Sequence, residues 1–433
     1  MPARIAALVA AVVLVALALS GSASPVDPDQ GRAARPAWEK VLAVPATFLR
    51  DSYGPGQVAR FVLWRHEPGF TLQFFRVDPS AKGWSRTTMQ GTAVSRAYTY
   101  GPTEPHVPIS LRLGSWPTGL YYAELRNGRL KGYAPFVVHP WRLGIHRVLV
   151  VLPTFTWQAY NFRDDNHDGL GDTWYASSAI NHVRLDRPFL ARGVPPHFTA
   201  YDLPFLRWLE KTGERADFMS DTDLAGIYRP DQLHRAYSLI VFPGHHEYVT
   251  LHEYAMVTGY RNLGGHVMFL SGNDFFWKVV RTGDIITRRY RWRRLGLPES
   301  ALIGVQFFRN DGGTHKAPWR VVDLNRWPWL WAGTGVHVGS PFGLGGIEID
   351  HMTRSSPKGT HVIADIPNLM GRGNTAQMTY YERPSGAKVF ASGAFTLGGA
   401  HDPVECRLLE NLWNHLGPPT REPVDASRPD PCG

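Results

Sequence analysis

The run Arg147-Val148-Leu149-Val150-Val151-Leu152 constrains the fold of this chain more than any other feature. Its five consecutive apolar residues leave no polar face. A strand of that kind must be covered on both sides, as in the interior of a layered sheet. Shorter runs of the same character recur at Ala216 to Met219, Leu239 to Phe242, Val267 to Leu270 and Val389 to Ala391. Helical patterns with readable ends lie between them. Thr250 followed by Glu253 is a capping box, and Gly264-Gly265 supplies a stop. Asp402-Pro403-Val404-Glu405 opens a helix whose Val404, Leu408, Leu412 and Leu416 share one face before Gly417. This alternation predicts an α/β fold over residues 145–417, with an open, mostly parallel sheet in three layers.

Residues 40–140 read differently. Val58 to Trp64 and Leu72 to Val77 are β-branched and aromatic runs bounded by Gly and Pro. Asn127-Gly128, between Leu120 to Leu125 and Tyr133 to Val138, has the chemistry of a tight hairpin turn. Strands at this spacing predict a small β-sandwich of immunoglobulin-like type. It carries no cluster of acids, bases or ligands, which suits a packing or binding module.

Met1 to Ala23 has the form of a secretory leader: Arg4, the apolar stretch Ile5 to Leu19, then Gly21-Ser22-Ala23. The apolar stretch is short for a membrane span. The expectation is a secreted or cell-envelope protein with no membrane span after cleavage, an uncleaved N-terminal anchor being the alternative. In an oxidising compartment Cys406 and Cys432 are expected to pair, pinning the Pro-rich tail 418–433 to the last helix.

The charge argues against a nucleic-acid partner. Lys and Arg exceed Asp and Glu by 46 to 37, a formal +9 spread over 433 residues, which is a weak field. Arg281 to Arg294 concentrates six arginines around Tyr290 and Trp292, but Asp284, Ile285 and Ile286 interrupt the patch, and a solvated face explains it.

In open sheets, ligands bind beyond the carboxyl ends of the strands. Those segments are the polar ones here: Pro153 to Asn161, Pro243-Gly244-His245-His246-Glu247-Tyr248 and Ser271-Gly272-Asn273-Asp274. No nucleophile elbow stands at a strand end. His246-Glu247 is followed by His252, two positions too late for a zincin helix, and no phosphate-binding glycine motif follows a strand. The remaining His245, His246, Glu247 and nearby tyrosines could hold a hard metal. Asp164 to Asp172 resembles the front of a calcium loop, but Tyr175 stands where the bidentate Glu belongs, so a turn-rich loop beside the pocket is the better reading.

The blocks Pro153 to Asn161, Arg187-Pro188-Phe189, Tyr201 to Leu209, Gly244 to Tyr248 and Leu270 to Asn273 give the stretch Val148 to Ala400 a family likeness. It resembles the C-terminal domain of the N,N-dimethylformamidase large (beta) subunit family. The resemblance implies a sheet like that of class I glutamine amidotransferases without their nucleophile. It also implies hydrolysis of an N-substituted formamide at a mononuclear iron held by two tyrosines and a glutamate. By position the metal ligands would be Tyr160, Tyr201 and Glu247, with His245 and Asn273 orienting the substrate or its oxyanion. Glu348, in Gly345-Gly346-Ile347-Glu348, is the candidate general base, an ordinary loop carboxylate being the alternative. The expected activity is therefore metal-dependent hydrolysis of a non-peptide amide C–N bond in a small molecule, with Fe3+ as cofactor. The alternative is a non-catalytic envelope binding module with a vestigial site. Self-association into a homo-oligomer stays open.

Overall fold

A computed structural model describes residues 43–399, 401–418, 430 and 432. The predicted leader, Met1 to Ala23, and most of the predicted tail lie outside the described residues.

The first hundred of these residues form two sheets around one aromatic core. Ala46–Phe48, Val58–Leu63 and Ile109–Arg112 make a three-stranded antiparallel sheet. Six strands make the other, with Gly119–Asn127 and Leu130–Val138 at its centre. Gly128 takes the turn between that pair at φ 56°, a conformation that costs a residue with a Cβ. Phe70–Val77 alternates buried and part-exposed residues, so Phe70, Leu72 and Phe74 face inward. Their partners include Phe48, Phe61 and Phe136, with the rings of Phe48 and Phe136 4.6 Å apart.

The predicted α/β class is corrected by the large sheet. It has eleven strands and is mixed. Asp217–Ser220, Val148–Leu152, Leu239–Phe242, His266–Phe269 and Lys388–Ala391 run parallel, and the first run singled out in the sequence lies inside this half. Beyond Lys388–Ala391 every pairing is antiparallel: Ala376–Glu382, His361–Ile366, Lys316–Val321, Pro341–His351 and Gln306–Asn310 follow in order. Among the described residues strand makes up 34% and helix 19%, so the fold is β-rich and not a three-layer sheet of glutamine amidotransferase type. The physical reason lies between residues 300 and 387. That stretch offers no long helical period, and its strands are interrupted by glycines and bulges, for example between Ala317 and Trp319. Its antiparallel strands are therefore not announced in the sequence.

A four-stranded sheet, His182–Arg184, Ile285–Arg291, Trp277–Thr282 and Tyr248–Thr250, lies beyond the parallel half. It absorbs much of the arginine-rich run: Arg288 lies 4.8 Å from the Trp277 ring centre. The Thr250–Glu253 capping box is formed and starts the helix Leu251–Asn262. Asp402 caps Pro403–Leu416, and Cys406 of that helix is disulfide-bonded to Cys432. No described helix is long and apolar enough to cross a membrane.

Candidate functional site

Four parallel strands deliver their following segments to one place. Val148–Leu152 ends at Pro153, and the short helix Thr154–Ala159, all of it buried, carries the chain to Tyr160. Leu239–Phe242 runs into Pro243 and Gly244, then His245, His246 and Glu247. Gly244 is required: a Cβ there would lie 2.1 Å from Asp202 Oδ1. His266–Phe269 leads to Asn273, whose backbone sits at φ 56°. The carboxylate of Asp350 holds that strained turn, accepting the Asn273 N–H at 3.0 Å on each oxygen. Lys388–Ala391 leads to Phe395, 4.6 Å from the His245 ring.

Glu247 is the hub, with 1% of its surface exposed. Its Oε2 accepts from Tyr160 Oη at 2.8 Å and from Tyr175 Oη at 2.7 Å. His245 Nε2 lies 3.3 Å from the same oxygen and 3.3 Å from Tyr160 Oη. Its Nδ1 faces the Gly272 carbonyl at 3.2 Å, which fixes a proton on that nitrogen. Burial would lower the His245 pKa, but the hydrogen bond to Glu247 and the charges of Glu348 and Glu247 raise it to about 9. Its neighbour His246 points away. Burial takes its pKa down to about 3, so it stays neutral behind the site.

Glu348 stands in the strand Pro341–His351 rather than on a loop. Its Oε2 is 4.0 Å from His245 Nε2 and has no hydrogen-bond partner. Asn310 donates to its other oxygen, and the side chain of Asn273 also bonds to it. Burial raises the Glu348 carboxyl to about 7, opposed by His245 and reinforced by Glu247. Tyr201 enters from the opposite wall, in a small cavity shared with Tyr160, His197 and His245. Its ring stacks on His197 at 5.0 Å and meets Phe395 at 4.9 Å, without a hydrogen bond to Glu247. Burial, then Glu348, raise its pKa, and burial with Glu247 does the same for Tyr160.

The structure thus gathers Tyr160, Glu247, His245, Asn273 and Glu348 in one buried cluster and puts Tyr201 on its rim. Asp202 does not cap the following helix. It accepts from Trp157 Nε1 at 3.1 Å, and its Oδ1 is unpartnered beside Gly244. Tyr175 and Asp350 were not foreseen. Asp350 had a signal, because residues two apart on a strand share a face and it follows Glu348 by two. Tyr175 closes the aspartate-rich loop, whose carboxylates instead accept the loop's own N–H groups, as Asp164 does from Gly169.

A metal here would need phenol oxygens. Among the described residues, the trio of His, Cys, Asp or Glu donors close enough to share an ion is Glu410, Asp430 and Cys432, far along the chain, and its cysteine is spent in the disulfide.

The family described as N,N-dimethylformamidase beta subunit-like, C-terminal, matches residues 103–403. The chain belongs to that family. The match to the dimethylformamidase-like domain begins inside the N-terminal sheets and spans the whole of the cluster just described. No curated protein sequence matches the chain. Solved structures that resemble it include an "mmIFT52 N-terminal domain", at 11% identity and TM-score 0.28, covering 48% of this chain and 87% of that one. Another is the carbohydrate deacetylase Agd3, at 10% identity and TM-score 0.26, covering 49% and 31%. Likenesses this slight carry no argument about fold or activity.

Proposed function

We propose that this dimethylformamidase-like chain is an exported hydrolase. It would cleave a non-peptide amide C–N bond with a mononuclear Fe3+ ion bound by Tyr160, Tyr201 and Glu247. The observation that carries the reading is the contact of Tyr160 Oη with Glu247 Oε2 at 2.8 Å, buried beside His245 and facing the cavity that Tyr201 lines. These are hard, potentially anionic oxygens, the donor set a trivalent ion prefers. Burial and the adjacent carboxylates keep both phenols protonated in the protein alone, so only a cation would release those protons. When bound, the ion would polarise the substrate carbonyl and acidify water.

The residues around it divide the remaining work. Glu348, with a carboxyl near 7 and a free oxygen, takes a proton from the attacking water, whose oxygen bonds to the carbonyl carbon. His245 Nε2–H and the Asn273 amide donate to the developing oxyanion. The C–N bond then breaks, and the amine leaves with the proton returned by Glu348. Asp350 keeps Asn273 in place by holding its strained backbone. Export rests on the leader Met1 to Ala23.

Iron analysis of the purified protein tests the reading. The expected result is one iron per chain with a phenolate-to-iron charge-transfer colour, bleached in Tyr160→Phe, and release of amine from an N,N-dialkylformamide. Folded, colourless protein without metal would overturn it.

A further inference from the structure

Three segments that build the rim of the site continue past it and enclose an open groove of about 470 Å³. The first is the helical pair Phe198–Tyr201 and Leu203–Thr212, which puts Tyr201 at the site and Arg207 and Lys211 on the groove. The second runs from Phe395, against Tyr201 and His245, to His401 on the groove. At Thr396 and Gly398 it lies beside the helices: Thr396 Oγ1 donates to the Ala200 carbonyl at 3.4 Å, and a Cβ on Gly398 would lie 2.3 Å from Pro204. The third is the loop 78–90 of the N-terminal sheets. Its Trp84 ring lies 5.6 Å from Phe198, and the Arg86 charge acts on both His197 and Tyr201.

The groove is built for one sign of charge. Among the described residues its lining contains Lys82, Arg207, Lys211 and His401, the Trp84 indole and no carboxylate. The nearest acids border the groove and are engaged with its backbone or with another cation. Asp78 Oδ1 accepts the N–H groups of Ser80 and Ala81, and Glu210 Oε2 also accepts from Ser80, at 3.0 Å. Asp430, which feels the Lys211 charge, is paired with Arg407. The loop's geometry is fixed as well. Arg207 Nε donates to the Pro79 carbonyl at 2.9 Å, and Trp84 Nε1 donates to the Asp78 carbonyl at 2.9 Å.

We propose that this groove is the subsite for an anionic group, a carboxylate or phosphate, carried by the amide substrate away from its scissile bond. The proposal rests on the hydrolase reading above and names its substrate class. At the helical rise of about 1.5 Å per residue, the six and ten residues from Tyr201 to Arg207 and Lys211 allow a separation of roughly 9 to 15 Å if the two helices run on in one direction. Trp84 offers an apolar wall to the linking part of the substrate. The positive groove would also steer such a substrate to the site.

The test compares two probes on the full chain by calorimetry at low salt: N-formyl-8-aminooctanoate and its neutral methyl ester. Two or three exposed ion pairs predict about tenfold tighter binding of the anion. That advantage should vanish in 0.5 M sodium chloride, taken as roughly a Debye length of a few ångström. It should vanish equally in the Lys82→Gln/Lys211→Gln double variant, whose exposed positions leave folding intact. An N-formyl amine carrying a distal phosphate separates the two anion chemistries, and preference for either supports the subsite. No binding of either anion, equal binding of anion and ester, or an advantage that survives in the double variant overturns it. Binding is read without turnover. Discrimination without hydrolysis would therefore keep the subsite and sink the hydrolase reading, and hydrolysis without discrimination would do the reverse.

Discussion

The N-terminal sheets and the ends of the parallel strands both bury carboxylates, and they treat them in opposite ways. Glu67, 1% exposed, accepts from Arg65 on one oxygen and from Asn127 on the other. Glu124 is divided in the same manner between Arg126 and Lys131. Around the site Asp202, Asp274 and Glu348 each keep a buried oxygen with no partner. Among the described residues no carboxylate of the N-terminal sheets is left in that state. An unpaired buried polar atom costs about 1 to 3 kcal/mol, so several in one place are a standing expense for the fold. One region spends its buried charge on holding itself together; the other keeps it available to a ligand.

The sharpest way to test that difference is to remove the unspent oxygen with the clearest task. In Glu348→Gln, amide hydrolysis should fall by about 10²- to 10⁴-fold while bound iron is retained. The pH profile adds the sign. Only the ionised carboxylate accepts a proton, and burial raises its pKa, so the wild-type rate should climb as pH rises through the Glu348 pKa of the iron-loaded enzyme. That acid limb should disappear in the variant. A variant that keeps both the rate and the limb would show that Glu348 is not the base.

The opposite region should fail in the opposite way. Phe136, 2% exposed and packed on Phe48 and Phe74, anchors the N-terminal core. Phe136→Ala should cost about 3 to 5 kcal/mol in urea unfolding. Iron per folded molecule and the Michaelis constant of a neutral amide should not change. Loss of iron from protein that is still folded would break the division drawn between the two regions.

What could be read from the sequence followed the same division. The parallel strands announced themselves because burial on both faces forces an unbroken apolar run, as at Val148–Leu152, and the helix from Thr250 announced itself through its cap. The antiparallel half stayed hidden. Pro341–His351 has three glycines and a proline in eleven residues, and its bulged pairing with Lys316–Val321 erases the alternation a strand would display. Glu348 was consequently reached only through the resemblance, and the competing reading of it as a loop carboxylate missed its strand. Glu247 stood out by its place after a strand, but Tyr160 was legible as a ligand only through the family blocks, because a tyrosine beside a glutamate is common in any core. Tyr175 had no such block, and its place was hidden by a loop whose Asp164, Asp168 and Asp172 looked like ligands but accept from the loop's own backbone.

Tyr175 therefore gives the finest test of the comparison. Its hydroxyl donates to Glu247 Oε2 at 2.7 Å, and its ring stacks 4.5 Å from that of Tyr160. It touches two of the three proposed ligands without being one, so its part is to position Glu247 and to draw electron density from it. Phenylalanine keeps the stack and removes the hydrogen bond. In Tyr175→Phe, Glu247 becomes the stronger donor and the bound ion the weaker Lewis acid. The charge-transfer band should move to shorter wavelength, and kcat should drop by about tenfold, the value of one hydrogen bond to a charged group. The band is the deciding readout, because a purely structural tyrosine would lower stability without moving it. An unshifted band with a full complement of iron would return Tyr175 to the class of residues that, like those around Glu67 and Glu124, only hold the fold.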